Sequence, residues 1–301
     1  MERFLKRSFL FCVVVIFCVF ICTILIIEIN RILFGKIKIE NEITTIILGD
    51  SHTECAINDS IMSETRNVSL LSEGYFFSYL KLENIIDNND NLKNVILGFS
   101  YHNLSIHYDQ FVYGTPTFSS ISRYVPLMNF RDILTLLSKQ SSITNLTPII
   151  KSSLSNILKY SMKGNPCILK DNIPDISEGV NNESIKKRIN FLYYSEGEPC
   201  KVSNFNLFYL KKIVELCKGK DINIILINTP LFEDFYAVIP SCKINEYDAI
   251  VNDLDIPYIN LNSYNLPDDC FLPDGDHLNS NGAKIFTKHL VKYLKNIQFD
   301  D

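Results

Sequence analysis

Two short stretches of this 301-residue chain hold residue types able to do acyl chemistry. The first is TTIILGDSHTECAI, residues 44–57, where an aliphatic run ends in Gly49, Asp50, Ser51 and His52. The second is LPDGDHLNSNGAKIFTKHL, residues 272–290, where Asp274 and His277 stand three apart just before a helical pattern. A serine hydroxyl is a weak nucleophile at its ordinary pKa and needs a base within hydrogen-bond reach. Histidine suits that task near neutral pH. A carboxylate on the other ring nitrogen fixes the tautomer and stabilises the imidazolium. Ser51 as nucleophile, His277 as base and Asp274 as its partner form the candidate catalytic set. As a lone tripeptide, Gly-Asp-Ser is equally a turn running into a helix N-cap.

These residues need a frame that brings them together across the chain. Residues 43–48, 67–71, 94–100, 222–230 and 256–261 are short continuous apolar runs, the pattern of strands covered on both faces. Helical patterns lie over 75–89, 205–220 and 280–297, the last with Ile285, Phe286, Leu290, Val291 and Leu294 as its apolar stripe. Strand and helix alternate at both ends of the chain, which implies a parallel sheet with helices on both faces. In such sheets ligands gather at the carboxyl ends of the strands, where Ser51 would sit. Residues 104–200 interrupt the alternation. They are rich in Ser, Asn, Tyr and Pro, with helical patterns over 130–140 and 146–162, and read as an insertion able to wall or cover a site.

With both stretches in view, ILGDSHT near the start and DGDHLNSNGA near the end resemble the SGNH/GDSL hydrolase superfamily. The HLNSNGA tail is similar to versions found in bacterial membrane-anchored proteins that act on cell-surface glycans. The resemblance covers both ends and not the 104–200 insertion. It implies a flavodoxin-like three-layer α/β/α fold with a five-stranded parallel sheet, and the Ser51, His277 and Asp274 roles given above. It also implies two oxyanion donors, one a glycine after the second strand and the other an asparagine after the third. Gly74 stands in the first place, where it is equally a turn glycine before a helix. The third block departs from the family's Gly-x-Asn-Asp and reads GFSYHNLS. Asn103 is the chosen donor, with Ser100 and His102 as alternatives and a helix cap as its other possible role.

The remaining chemistry-bearing residues read as structural. Asp50 orients the turn. His52 reads as a loop histidine beside the nucleophile. Asp276 with His277 lacks a nearby third ligand and reads as a solvated acidic turn, so no metal and no cofactor are expected. His102 and His107 have no spaced partners. Cys55 reads as packing.

Residues 8–27 are twenty residues without a charge, preceded by Glu2, Arg3, Lys6 and Arg7. That length crosses a hydrocarbon core as a helix, and the flank puts the N-terminus in the cytoplasm. No small-x-small cleavage site follows. The expected organisation is a cytoplasmic tail (1–7), a transmembrane anchor (8–29) and a periplasmic or extracellular domain (40–301). Of nine cysteines, six would lie outside the membrane, where one or two bridges are expected. A net charge of −5 with no basic stripe argues against nucleic acid. The function expected is a serine esterase or O-acyltransferase acting on acyl, chiefly acetyl, esters of cell-surface polysaccharide. Its expected partners are the glycan, the membrane and a membrane-bound O-acyltransferase. The rival expectation is a non-catalytic glycan-binding or assembly protein that retains the fold.

Overall fold

The computed structural model describes residues 1–114, 121, 123–139, 151, 155, 165–170 and 179–296. Five parallel strands form the central sheet: β1 (Thr45–Leu48), β2 (Thr65–Asn67), β3 (Asn94–Gly98), β4 (Asn223–Asn228) and β5 (Tyr258–Asn260), in the order β2-β1-β3-β4-β5. The chain steps outward from β1 to β2, then crosses back to β3 on the other side of β1. The switch point therefore lies between the carboxyl ends of β1 and β3, the crevice where such sheets bind ligands.

Alternation along each strand sends successive side chains to opposite faces. Ile46, Leu48, Val95, Leu97, Ile224 and Leu226 enter one apolar core. Ile47, Ile96, Ile225 and Ile227 enter the other. The principal helices are α1 (Glu2–Phe34), α2 (Ser51–Ala56), α3 (Tyr75–Asn88), α4 (Phe130–Lys139), α5 (Asn182–Tyr193), α6 (Asn204–Gly219), α7 (Ser241–Leu254) and α8 (Ser280–Asn296). On one face α3 and α6 pack against each other. On the other, α8 brings Phe286 and Leu290 to the second core and touches α2.

The expected five-stranded α/β sheet with covering helices is the observed fold, with one shift of position. The second strand pairs over Thr65–Asn67 rather than 67–71. Val68 and Leu70 still donate to the Ile47 and Gly49 carbonyls beyond its end, so the apolar run is buried as the strand's exit. The expected helix over 146–162 lies outside the described residues. All nine cysteines are free thiols in this structure, which corrects the expectation of bridges. Cys167, Cys200, Cys217 and Cys270 are buried and packed singly into the fold.

Helix α1 is 33 residues long and is the one helix among the described residues long and apolar enough to cross a membrane. Its last turn belongs to the domain. Asn30 and Phe34 are buried, and the helix end packs on the Val125–Leu127 turn. Asn165 donates to the Phe34 carbonyl at 2.8 Å. Beyond the helix, Asn84 and Asn89 serve the extended segment as a strand partner would. Ile37 N–H donates to Asn84 Oδ1 and Ile39 N–H to Asn89 Oδ1, each at 2.8 Å. The Asn84 and Asn89 amides donate back to the Gly35 and Ile37 carbonyls.

A buried ion pair secures the loop after β2. Lys81 and Glu73 are both fully buried, and the Lys81 Nζ donates to Glu73 and, at 2.6 Å, to the Val68 carbonyl. Ser78 and Tyr124 hydroxyls donate to the same carboxylate, each at 2.7 Å. Removing one partner of such a pair strands a buried charge, whereas removing both does not. Lys81→Met is therefore expected to cost about 3–5 kcal/mol. The double variant Glu73→Gln/Lys81→Met should recover most of that loss. Urea unfolding of the full-length protein in detergent measures both.

Candidate active site

Ser51 is the first residue of α2, directly past the β1 exit. Gly49 makes the turn with φ at +145°, and a Cβ there would lie 2.5 Å from Thr53 Oγ1 and 3.2 Å from the Gly98 Cα. Backbone thus meets backbone at the switch point, and only glycine fits. Asp50 caps the helix, accepting from the His52 N–H at 3.0 Å.

The histidine arrives on a loop closed by an antiparallel bridge between Phe271 and Leu278. At its tip Gly275 takes φ +68°, with Phe232 and Phe235 where a Cβ would go. Asp274 Oδ1 accepts the Asp276 and His277 N–H groups at 3.0 and 3.2 Å, so this carboxylate shapes the loop as well as the ring. Its other oxygen lies 2.7 Å from His277 Nδ1. On the far side of the ring, Nε2 lies 2.8 Å from Ser51 Oγ. The three residues expected to act together are therefore within hydrogen-bond reach, across 226 positions of sequence. With Nδ1–H given to the carboxylate, the Nε2 lone pair faces the hydroxyl, the arrangement general-base activation of serine requires.

Gly74 and Asn103 are placed differently from the expectation. Gly74 is the N-cap of α3, with Val112 and Asn206 against it. Asn103 donates to Asp50 Oδ2 at 2.8 Å and accepts the Ser100 N–H at 2.6 Å. Neither lines the cavity of about 200 Å³ that opens over Ser51 and His277. On the β2 side the wall is Leu71 and Ser72, the latter at φ +57°. Cys55 also lines the cavity, and burial with the neighbouring carboxylates pushes its thiol pKa upward, keeping it protonated.

Beneath the serine lies a charged layer built from Asp50, His52, His102, Arg188 and Asp276. His52 is buried within α2 and Asp276 is buried too, which corrects the loop-histidine and solvated-turn expectations. His52 Nε2 is 3.0 Å from Asp276 Oδ1, an ion-pair approach outside hydrogen-bond alignment. Arg188, from α5, donates through Nε to Asp276 Oδ2 at 2.7 Å. His102 and Asp50 lie 2.8 Å apart, and the Tyr108 hydroxyl donates to the same Asp50 oxygen at 2.6 Å. The His52 ring lies between those of His102 and His277, with centroids 4.3 and 5.0 Å away. Burial opposes a charge on His52, but Asp276 and then Asp50 outweigh it and raise its pKa. Burial, and then the His52 charge, lower that of His102. Burial also works against the Asp50 and Asp276 carboxylates. Asp50 is nonetheless held well below the usual range by His102, and Asp276 by His52 and Arg188. Asp274 is lowered too, its burial outweighed by the His277 hydrogen bond.

Ligand-type atoms of His52, His102 and Asp276 lie within 4.8 Å of one another, as do those of Asp274, Asp276 and His277. Arg188 already sits on Asp276 and supplies the positive charge a metal would bring. The donor set thus suits an internal ion network better than a cation.

The sequence does contain a signal for Arg188. In α5, Ile185, Ile189, Leu192 and Tyr193 are the buried residues. Arg188 occupies an inward position of that same i, i+3, i+4, i+7 stripe. The N-terminus of α5 is tied to the histidine loop by the Asn181 N–H, which donates to the Pro273 carbonyl at 3.0 Å.

The ion network sets a pH dependence. Carboxyls with depressed folded-state pKa add stability above their ordinary range and lose it as pH falls. His52, raised, adds stability below its ordinary value and loses it as pH rises through the folded value. The unfolding midpoint should therefore fall beneath about pH 4 and also on the alkaline side of about 6.5. Asp276→Asn should flatten both limbs, since Asp276 is a partner in both. Denaturant titrations across pH, monitored by tyrosine fluorescence, measure this.

No family model and no curated protein matches the chain. Among solved structures it is similar to a candidate platelet activating factor from Streptococcus pneumonia, at 11% identity, TM-score 0.44, covering 89% of this chain and 91% of that one. It is also similar to a GDSL-like lipase from Bacteroides thetaiotaomicron, at 10% identity, TM-score 0.41, covering 90% and 95%. A third similar structure is a candidate acylhydrolase from Bacteroides fragilis, at 11% identity, TM-score 0.40, covering 90% and 94%.

Proposed function

We propose that the protein is a serine-dependent ester hydrolase or O-acyltransferase of the SGNH kind, working on acyl esters of cell-surface polysaccharide. The observation that carries this reading is the unbroken line Ser51 Oγ–His277 Nε2, His277 Nδ1–Asp274 Oδ2, at 2.8 and 2.7 Å. Ser51 attacks the ester carbonyl carbon, and its proton passes to His277 Nε2. The tetrahedral intermediate collapses as Nε2–H returns that proton to the departing alcohol oxygen, leaving an acyl-serine. Water, or a sugar hydroxyl, then attacks the acyl-serine with His277 again as base, and Ser51 regains its proton.

Because Gly74 and Asn103 do not line the cavity, the Ser51 N–H is the oxyanion donor in this reading. Asn103 becomes a positioning residue that holds Asp50. A polymeric substrate is favoured by a second cleft of about 470 Å³, lined in part by Phe232, Asp234, Tyr236, Tyr264 and Phe271. Aromatic rings and carboxylates of this kind suit the apolar faces and hydroxyls of sugars. One lining residue of the cleft, Phe271, is next in sequence to Leu272 of the cavity. The membrane setting rests on α1. Transfer, as opposed to hydrolysis, would draw acyl groups from a membrane-bound partner.

The rival, a glycan-binding protein without catalysis, draws on the same second cleft. A fluorophosphonate probe separates the two. Full-length protein in detergent should be labelled, and Ser51→Ala should not. Asp274→Asn should slow turnover of a simple acetyl ester by about 10⁴-fold, since the imidazole loses its oriented tautomer. Retained glycan binding with no labelling would favour the rival.

A further inference from the structure

Among the described residues lining the catalytic cavity, Arg188 is the single fixed charge and none is a carboxylate. Much of the remaining wall is apolar, including Leu71, Phe111, Phe191 and Leu272. Asp50 and Asp276 are fully covered, so their charges stay behind the wall. A guanidinium has five N–H donors. The Nε–H is taken by Asp276 at 2.7 Å. Nη2 lies 3.5 Å from His277 Nε2, and Nη1 has no acceptor among the described residues. The Phe191 ring lies 5.8 Å from Cζ and helps hold the plane of the group. With Nε engaged, the Nη1–Nη2 edge is the one left to meet a ligand, and two parallel N–H donors match a carboxylate.

The position of that edge says which half of the ester it meets. His277 Nε2 is the nitrogen that returns a proton to the departing oxygen. A guanidinium nitrogen 3.5 Å from it is within reach of a substituent carried by the departing oxygen. We propose that Arg188 binds a carboxylate carried by the alcohol half of the ester, so that the substrate is an O-acylated uronic-acid type of sugar. This rests on the ester chemistry proposed for Ser51 and adds the charge and placement of the group recognised.

Three acyl esters test it with the full-length protein in detergent: phenyl acetate, 3-acetoxybenzoate and phenyl hemisuccinate. The second carries a carboxylate on the leaving group, the third on the acyl group. The wild-type kcat/KM ratio of 3-acetoxybenzoate to phenyl acetate should exceed that of Arg188→Gln by about tenfold or more, mainly through KM. Arg188→Lys, a point charge without the fork, should fall between. Hemisuccinate should show no such dependence. An equal loss for all three esters would make Arg188 a strut for Asp276 and overturn the proposal, as would a preference for hemisuccinate.

A measurement on the unmutated protein guards against a variant that fails to fold. Glucuronate should slow fluorophosphonate labelling of Ser51, and glucose at the same concentration should not. Equal effects of the two sugars overturn the proposal. A labelled, active protein indifferent to the carboxylate sinks this inference alone. A protein that neither labels nor cleaves any of the three esters sinks the ester chemistry with it.

Discussion

The candidate site depends on one buried carboxylate. Asp50 accepts from the His52 backbone N–H, from Asn103 and from Tyr108, and lies 2.8 Å from the His102 ring nitrogen. Those partners come from the nucleophile helix and from the segment after β3. The hydrogen bonds cross the switch point that parallel topology leaves open. A carboxylate taken from water is unfavourable unless its lone pairs are filled. Here filling them stitches the crevice shut beneath Ser51, so the serine stands on a rigid base while the histidine loop is set from the other side.

Charge balance explains the layering around that base. Asp50 and Asp276 place two negative charges under the nucleophile, and Arg188 answers them together with His52, whose pKa they raise. Each positive group has a second task. His52 continues the helix that begins with Ser51, and Arg188 joins α5 to the loop carrying His277. Described residues of the 104–200 insertion are therefore part of the site's construction, through Tyr108 at one end and Asn181 and Arg188 at the other.

How much of this can be read in the amino acids follows from range. The strands are legible because burial on both faces writes itself as unbroken runs such as ITTIIL, and the parallel sense of the sheet follows from alternation with helices. Ser51 is legible because it lies where a strand gives way to a turn, and Asp274 and His277 because they stand three apart just before a helical pattern. His52, His102 and Asp276 are not, because their roles come from one another, and neither spacing nor residue type reports that side chains so far apart in sequence will meet. Asn103 shows the same limit. Its position suggests a donor to substrate, yet Asp50 takes its amide. Arg188 lies between these cases. It sits where an isoleucine or leucine would be expected, and a charge there is a visible irregularity whose meaning needs the loop it touches.

The seat of the long apolar helix carries a mechanical corollary. Asn30, Phe34 and the asparagine pair that grips residues 35–39 fasten the helix end directly to α3 and to the Val125–Leu127 turn. A body joined in this way has no swivel. Any lean or roll of the helix turns the cleft by the same angle, so the bearing of the cleft is inherited from the rod it is mounted on and not found by diffusion on a tether.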